Sequence, residues 1–176
     1  MARNLISIVE SAISDIRKGK LVLVRDSKDR ENEADLIMAA EKATAKNVNF
    51  MIKQGGGLIC VALTQERAMK LGLPPMVRAD ESAQSLGCNF TVTTDAKNNV
   101  TTGISAADRA TTVRVLADPK TQPEDLNRPG HIFPVRARQG GVLVRAGHTE
   151  ASADLARLAG LNPVGVMCEI LDRQGK

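Results

Sequence analysis

The chain has 176 residues, of which 43% are hydrophobic, 25% charged and 2% aromatic, a composition that excludes a disordered or fibrous protein and suits one globular domain. The net charge of +4 is small and the basic residues are scattered along the chain, so an anionic metabolite is favoured as partner over nucleic acid. Trp and Tyr, which commonly stack on the bases of single-stranded nucleic acid, are absent. No apolar stretch is long enough to span a bilayer, so no membrane partner is expected.

Hydrophobic periodicity and capping residues divide the first half of the chain into alternating helices and strands. A first helix is predicted to reach about Lys18 and to end at Gly19. Two more helices are predicted to begin after Thr44 and Thr64, whose hydroxyls can accept from the first helical turn. Strands are predicted in this half at 20–26, as a buried strand, and at 35–41 and 58–63.

The second half follows the same alternation. Ser105, with Asp108 three residues later, has the pattern of a capping box and predicts a helix. Residues 127–137 contain two prolines and are predicted to form an extended, irregular or edge segment. Thr149 is predicted to cap the last helix, which Gly160 ends. Strands are predicted at 89–95, 140–147 and 163–171.

These elements predict a single α/β domain over residues 1–176, with a mixed β-sheet flanked by helices. The cysteines are Cys60, Cys88 and Cys168, an odd number without a CxxC pair. They predict free thiols in a reducing compartment, buried at Cys60 and Cys168 within apolar runs. Because nothing at the N-terminus resembles a signal peptide, a cytoplasmic location is expected.

The stretch DSKDRENEAD, residues 26–35, holds seven charged residues in ten. Glu31, Glu33 and Asp35 alternate with other residues, so in extended backbone their carboxylates would share one face. The stretch is either a solvated turn or a carboxylate cluster that Arg30 and a hard divalent ion such as Mg²⁺ neutralise. The spacing alone leaves both interpretations open.

A second group of candidate residues lies in VRAGHTEAS, residues 144–152. A helix begins near Thr149 after the small Gly147, and a helix N-terminus can bind an anion through its free N–H groups. Arg145 would add a charged fork and His148 would lie at the mouth of the turn. The alternative is that Thr149 is only a cap and His148 a surface loop residue.

Two isolated residues are weaker candidates. His131 lies between glycine and proline residues, where it is either a proton-transfer group or a hydrogen-bonded turn residue. Glu169 interrupts an apolar strand, so it either faces solvent or is partly buried with a raised pKa and a proton-transfer role. The two histidines and three cysteines lack zinc-site spacing, so zinc is not favoured.

Five segments in order, DRENEADL, GISAADRATTV, RPGHIFPVRA, GGVLVRAGHTEASADLARLAGL and VMCEILD, together resemble 3,4-dihydroxy-2-butanone 4-phosphate synthase over essentially the whole chain. The resemblance implies a lyase of riboflavin biosynthesis that converts D-ribulose 5-phosphate to 3,4-dihydroxy-2-butanone 4-phosphate and formate. It implies metal-assisted enolisation, skeletal rearrangement and loss of C4, with Mg²⁺ or Mn²⁺. It also implies a homodimer with active sites at the subunit boundary.

The resemblance assigns roles to matching positions. It implies that Glu31 and His148 bind the metal, and that His131 and Glu169 are essential for catalysis. Glu33, in the same acidic loop, is a further candidate acid or base. The substrate-binding positions that it implies are Arg30, Glu31, Asp35, Arg145, Ala146, Gly147, His148, Thr149 and Glu169.

The chain departs from the family pattern at two places. Ala34 stands where the family commonly has Gly, and its methyl group could constrain the acidic loop. The family also usually continues into another helix after the last strand, and that helix is expected to be missing here. Two alternatives to the enzyme are a non-catalytic homologue and a nucleotide- or RNA-binding module of related fold. The acidic loop argues against the second alternative because it would repel phosphates.

Overall fold

A computed structural model describes residues 2–78 and 89–175 of the chain. Its helices and strands alternate along the sequence, as the hydrophobic pattern predicts. The helices are α1 (Ala2–Arg17), α2 (Ala45–Phe50), α3 (Gln65–Lys70), α4 (Ala106–Ala117) and α5 (His148–Leu158). The strands are β1 (Val22–Arg25), β2 (Ala34–Ala39), β3 (Cys60–Leu63), β4 (Thr94–Ala96), β5 (Leu126–Arg136) and β6 (Gly165–Glu169).

The six strands form one mixed sheet in the order β1-β2-β6-β3-β5-β4. The pair β3 and β5 is parallel, and the other four neighbouring pairs are antiparallel. The last strand, β6, therefore lies between β2 and β3, which come from the first half of the chain. The predicted α/β fold with a mixed sheet is confirmed.

Both faces of the sheet are covered, because the side chains of β6 alternate between two helical layers. Gly165 faces α5, where a Cβ would come within 2.8 Å of the Ser152 carbonyl oxygen. Cys168 faces the π-helical turn that extends α2, and its thiol lies 3.5 Å from the Met51 carbonyl oxygen. The core between these layers is aliphatic, as the lack of aromatic residues predicts, and its largest side chains include Ile16, Ile37, Met38, Leu63 and Leu116.

The predicted capping residues Thr44, Thr64 and Ser105 are confirmed. Each side-chain oxygen accepts a hydrogen bond from the backbone N–H three residues later, at 3.0–3.2 Å. The reciprocal half of the predicted capping box does not form at α4. The Asp108 carboxylate instead accepts hydrogen bonds from the backbone N–H groups of Thr101 and Gly103.

Several predicted extended segments differ from the structure. Of the predicted strand 89–95, only the end belongs to a strand, β4, and Phe90 and Thr91 form isolated bridges. The segment 140–147 is wrong as a strand: Gly140 and Gly141 have φ values of 94° and 62°, and a 3₁₀ turn (Gly141–Leu143) follows. The strand β1 is an edge strand, with Leu23 exposed, and is not buried. The two-proline segment is extended as predicted, but β5 is not an edge strand, because it pairs with β3 on one side and β4 on the other. Pro134 still takes part in pairing through its carbonyl, which accepts from the N–H of Thr91.

The described cysteines, Cys60 and Cys168, are buried thiols outside any disulfide, as predicted. Cys88 lies outside the described residues. Among the helices of the described ranges, none combines the length and the apolar character that crossing a bilayer requires. Ala34 opens β2 in extended backbone, so a glycine is not needed there for a left-handed conformation.

Candidate active site

Most of the candidate residues lie together at one end of the strands, where β2 begins, β6 ends and α5 begins. The start of β2 carries Asp35, and the end of β6 carries Glu169 directly opposite it in the antiparallel register. The N-terminus of α5 carries His148 next to this pair of strand ends. The pocket between them has a volume of about 180 Å³ and is lined by Arg30, Glu31, Glu33, Asp35, Cys60, Phe90, Val135, Arg145, His148, Thr149, Met167 and Glu169.

The acidic stretch is a folded hairpin loop, so it is not a freely solvated turn. Asp26 organises it: its carboxylate accepts from the backbone N–H groups of Glu31 at 3.1 Å and Glu33 at 3.0 Å. Asn32 adopts a left-handed φ of 56°, and its side-chain oxygen accepts from Arg25 at 2.7 Å. These bonds fix the loop so that Glu31 turns inward to the pocket.

Arg30 neutralises part of this acidic loop, as its sequence position suggests. Its Nη1 donates to Asp26 Oδ2 at 2.6 Å and to Glu31 Oε2 at 2.5 Å. Burial of Asp26 opposes its ionisation, but the hydrogen bonds from Arg30 and the two backbone N–H groups outweigh it and lower the pKa of Asp26. Asp26 is therefore an ionised carboxylate at neutral pH.

The imidazole of His148 lies next to the acidic loop. His148 is buried, and its Nδ1 lies 3.8 Å from both Glu31 Oε2 and Asp35 Oδ1. Among the described residues, His148 Nε2 and Asp35 Oδ1 are buried atoms without a hydrogen-bond partner. Ligand atoms of Asp26, Glu31 and His148 all lie within 4.8 Å of one another. These donors could hold one divalent cation.

Asp35 has the most perturbed carboxyl group of the pocket. Burial raises its pKa to about 7, and the nearby carboxylates of Glu169, Glu33, Glu31 and Asp26 add to the effect. A carboxyl group with a pKa near neutrality can both accept and return a proton at physiological pH. A nearby cation would favour its ionised form.

Glu169 points into the pocket, as the sequence interpretation of a partly buried acid requires. Its Oε2 accepts from the backbone N–H of Leu58 at 2.9 Å. Gly57 makes this position possible, because a Cβ there would come within 2.8 Å of Glu169 Cβ. The glycines that end the second helix thus also leave room for a carboxylate.

The helix start at α5 differs from the prediction in one respect. Gly147, and not Thr149, is the N-cap residue, so Thr149 is already helical and its buried side chain lines the pocket. His148 likewise is a buried residue of the first turn and is not a surface loop residue. Ala146 is exposed and is not among the lining residues within the described ranges.

Arg145 lines the pocket and is also tied to the protein interior. Its Nη1 donates to Glu150 Oε2 at 2.7 Å, and the Glu150 side chain is almost completely buried. A residue that serves only a ligand would leave no buried partner behind when it is replaced. Loss of Arg145 is therefore expected to lower the stability of the fold as well as ligand binding.

His131 lies elsewhere in the structure. Its Nδ1 is 2.6 Å from Asp95 Oδ2, and its backbone N–H donates to Asp95 Oδ1 at 2.9 Å. Along β5 it stands four residues before Val135, which lines the pocket, a separation of roughly 13 Å at strand spacing. The described residues that line the pocket do not include His131.

The sequence did not identify Asp26 as a site residue, nor the apolar wall of the pocket formed by Cys60, Phe90 and Met167. Asp26 had a signal, because a hairpin between the first two predicted strands places it opposite Glu33, and its N–H donates to the Glu33 carbonyl at 3.2 Å. The apolar wall of Cys60, Phe90 and Met167 had none, because its members come from three distant segments.

A larger cavity of about 570 Å³ lies between α3, α5 and residues 137–141. Within the described part of the chain, its lining includes none of the candidate residues that the sequence predicts. The convergence of titratable groups, and not the volume, marks the smaller pocket as the candidate active site.

The chain is similar to known proteins over nearly its whole length. Residues 10–176 match the family described as 3,4-dihydroxy-2-butanone 4-phosphate synthase. A bifunctional riboflavin biosynthesis protein of Arabidopsis thaliana is 56% identical over 169 residues, which are 96% of this chain and 31% of that protein. The 3,4-dihydroxy-2-butanone 4-phosphate synthase of Neisseria meningitidis serogroup B is 51% identical over 97% of this chain and 46% of its own length. The chain thus spans less than half the length of these curated relatives.

The fold also matches solved structures. A crystal structure of 3,4-dihydroxy-2-butanone 4-phosphate synthase in complex with two magnesium ions aligns with a TM-score of 0.90 and 49% identity, covering 93% of this chain and 76% of the other. A two-domain synthase from A. baumannii aligns with a TM-score of 0.90 and 46% identity, covering 96% of this chain and 49% of the other.

Proposed function

Because the chain belongs to the 3,4-dihydroxy-2-butanone 4-phosphate synthase family, we propose that it converts D-ribulose 5-phosphate to 3,4-dihydroxy-2-butanone 4-phosphate and formate. The product supplies the four-carbon unit of riboflavin. The single observation that carries this proposal is the pocket in which Glu31, Asp35, His148 and Glu169 converge from three separate elements. Four groups that can bind a cation or move a proton around one small cavity fit a reaction with several proton transfers.

The donor set fits a hard divalent cation. Carboxylate oxygens dominate it, and Mg²⁺ prefers such oxygen ligands. The buried and unpartnered atoms Asp35 Oδ1 and His148 Nε2, in the described structure, are polar atoms that a bound ion or its water shell would satisfy. Glu31 and His148 would hold the ion, with Asp26 next to them, and Mn²⁺ is proposed as an alternative metal. When bound, the ion supplies Lewis-acid stabilisation of negative charge on substrate oxygens.

Three carboxyl groups of the pocket are the candidates for the proton transfers of the reaction. Asp35, with a pKa of about 7, can accept a proton from the substrate at neutral pH and return it in a later step. Glu169 is the cross-strand partner of Asp35, so both carboxylates project from the same face of the sheet and can reach the same small substrate. Glu33 lines the same pocket and is a third candidate acid or base.

The phosphate end of the substrate is assigned to the start of α5. Arg145 carries a charge and lines the pocket, and Thr149 places a hydroxyl in it. The first N–H groups of an eleven-residue helix after Gly147 add a positive dipole end. Arg30 also lines the pocket and is proposed to bind the sugar.

The distance of His131 from the pocket supports a homodimer. The family resemblance makes His131 essential for catalysis, although it is not among the described lining residues of its own pocket. A partner subunit that brings its own copy of His131 to the pocket would resolve this separation. The pair Asp95 and His131 is partly exposed and thus accessible to a partner.

A cytoplasmic location is proposed as well. The reduced, buried thiols of Cys60 and Cys168 fit a reducing compartment.

Formate release from ribulose 5-phosphate is the direct test. Wild-type protein with Mg²⁺ should release formate, an excess of chelator should stop the release, and Mg²⁺ or Mn²⁺ should restore it. The variant Glu31→Gln should be inactive, whereas Glu124→Gln, an exposed glutamate far from the pocket, should keep full activity. Undiminished formate release in excess chelator would contradict the metal dependence. A folded protein that binds ribulose 5-phosphate without releasing formate would indicate a non-catalytic homologue.

The homodimer is tested by mixing two inactive variants. If His131 acts in the partner's pocket, His131→Ala and Glu169→Gln subunits should regain activity when they are mixed, because one pocket of each mixed dimer is then complete. Mixtures that remain inactive, while energy transfer between differently labelled subunits shows that they exchange, would show that His131 and Glu169 of the same subunit serve one pocket.

A further inference from the structure

Glu150 is unusual among the charged residues of the described chain because it is as deeply buried as the aliphatic core. Only 1% of its surface is exposed. Its Oε2 accepts from Arg145 Nη1 at 2.7 Å, and its Oε1 accepts from the backbone N–H of Arg138 at 2.8 Å. A buried charge is costly unless it is paired and hydrogen-bonded, and Glu150 satisfies both conditions.

Gly147 makes the ion pair possible. A Cβ at this position would come within 2.8 Å of Glu150 Oε2 and still closer to Arg145 Nη1. The two side chains therefore meet directly over the backbone that starts α5. This contact places the guanidinium of Arg145 at the pocket wall with little freedom to turn.

The electrostatics of the pocket explain why such a restraint is needed. Arg145 shares the pocket with Glu31, Glu33, Asp35 and Glu169. A guanidinium that could move freely would be attracted to these carboxylates, where it would compete with a cation and vacate the phosphate position. Glu150 supplies an opposing carboxylate on the other side of Arg145.

We propose that Glu150 is a positioning residue for substrate binding: its buried carboxylate holds the Arg145 guanidinium where it can meet a sugar phosphate and keeps it away from the acidic groups. This inference rests on the proposed function for the identity of the substrate. It assigns a role to a residue that does not itself touch the substrate.

A purely structural role for Glu150 makes a different prediction. Asp154, one turn further along α5, anchors the same loop by accepting from the backbone N–H of Val142 at 2.9 Å. Its ion pair is with the exposed Arg157, at 3.0 Å. If Glu150 only anchored the loop, neutralising either acid would have similar consequences. Asp154→Asn is therefore a matched control.

The test compares Glu150→Gln with Asp154→Asn. Glutamine keeps the shape but loses the charge. If its oxygen still accepts from the Arg138 N–H, its amide N–H₂ group faces the Arg145 guanidinium; if the oxygen faces Arg145 instead, the N–H₂ group faces the Arg138 N–H. We expect the KM for ribulose 5-phosphate to rise about tenfold in Glu150→Gln with kcat little changed, since a supporting partner of a binding residue typically contributes at least that much. KM should stay unchanged in Asp154→Asn. Equal KM values in wild type and Glu150→Gln, or an equal rise in both variants, would overturn the proposal.

A double-variant comparison tests whether the effect passes through Arg145. In an Arg145→Ala background, adding Glu150→Gln should cause no further rise in KM, because no guanidinium remains to be positioned. A full additional tenfold rise there would mean that Glu150 acts by another route. If Glu150→Gln does not fold, Glu150→Asp serves instead: it keeps the charge but withdraws it by one methylene group, so KM should still rise. An unchanged KM in that variant would also overturn the proposal.

Calorimetric binding of ribulose 5-phosphate separates this inference from the proposed function. If wild type binds the sugar phosphate but releases no formate, the proposed lyase activity is wrong. The role of Glu150 is then tested by binding alone, and Glu150→Gln should bind ribulose 5-phosphate about tenfold more weakly than wild type. Wild type that binds no ribulose 5-phosphate would overturn both.

Discussion

Two buried aspartates on different sides of the sheet have opposite electrostatic environments. Asp35 is 4% exposed and Asp108 is 5% exposed, so solvent exposure alone does not distinguish them. Asp108 accepts from the hydroxyl of Thr101 at 2.7 Å and from two backbone N–H groups, and these bonds, led by the hydroxyl, lower its pKa. Asp35 has an oxygen without a hydrogen-bond partner in the described structure, and burial with four nearby carboxylates raises its pKa to about 7.

The contrast shows that the same fold uses one buried carboxylate for structure and leaves another available for function. At the start of α4 the carboxylate stabilises a turn, and its hydrogen-bonding capacity is used up by the protein. In the pocket a carboxylate of similarly low exposure is left with capacity for a ligand or a proton. Unsatisfied and mutually repelling acids reduce stability, so their presence in one pocket indicates a function that they serve.

The largest expected effect is the loss of turnover in Glu169→Gln. The substitution preserves an acceptor for the Leu58 N–H but removes the titrating group, and general acid–base assistance typically contributes about 10²–10⁴-fold. Formate release should fall by about that factor while thermal unfolding stays near that of wild type, with the exposed Glu124→Gln as control. Near-normal turnover would remove Glu169 from the catalytic residues.

The second prediction concerns Glu150, which would become a buried acid without its charged partner when Arg145 is replaced. Arg145→Ala leaves the carboxylate of Glu150 buried without its guanidinium, and breaking a buried ion pair from one side typically costs about 3–5 kcal/mol of unfolding free energy. Urea unfolding should show this loss, and Arg145→Ala combined with Glu150→Gln should recover part of it. If the single variant is as stable as wild type, Arg145 contributes to the ligand alone.

The third prediction concerns pH. Because the pKa of Asp35 is about 7 in the folded protein and near 3.8 when unfolded, the folded state binds the extra proton between these values. Stability without metal should therefore fall as the pH rises from about 4 to about 7 and then level off. Asp35→Asn removes the charge, so it should be more stable than wild type at pH 8 by on the order of a few kcal/mol.

Urea unfolding at several pH values in the presence of a chelator would measure this difference. The gap between Asp35→Asn and wild type should close as the pH falls towards 4, because both side chains are then neutral. A gap that is constant with pH would show that Asp35 is not preferentially protonated in the fold.

The smallest expected effect has the opposite sign. The pKa of Asp108 is lowered in the folded protein, so its contribution is present above the unfolded value and is lost as the pH falls through the folded value. Asp108→Asn should be modestly less stable than wild type at neutral pH, and the difference should shrink in acid. Thermal unfolding at pH 7 and pH 3 would show it. A stabilising effect of Asp108→Asn at neutral pH would remove the contrast with Asp35.

Several features of the fold and site follow from local sequence. Thr44, Thr64 and Ser105 cap helices as predicted, since a cap depends on residues within one turn. Glu31, Glu33 and Asp35 do line one pocket, but a hairpin loop with Asn32 at a φ of 56° brings them there and not the extended backbone that their alternation predicts. Gly147, in contrast, takes the cap position predicted for Thr149, because α5 begins at His148 and Thr149 already lies in its first turn.

The sequence by itself determined the class of the fold, the positions of most helices and strands, and the chemical types of the residues around the pocket. The tertiary structure alone decided that Asp35 and Glu169 face each other, that residues 140–147 leave the sheet, and that Arg145 pairs with Glu150. It also separated His131 from the pocket that its motif suggests. The physical reason is that periodicity and capping act over a few residues, whereas strand order, register and the burial of a charge depend on segments from distant parts of the chain.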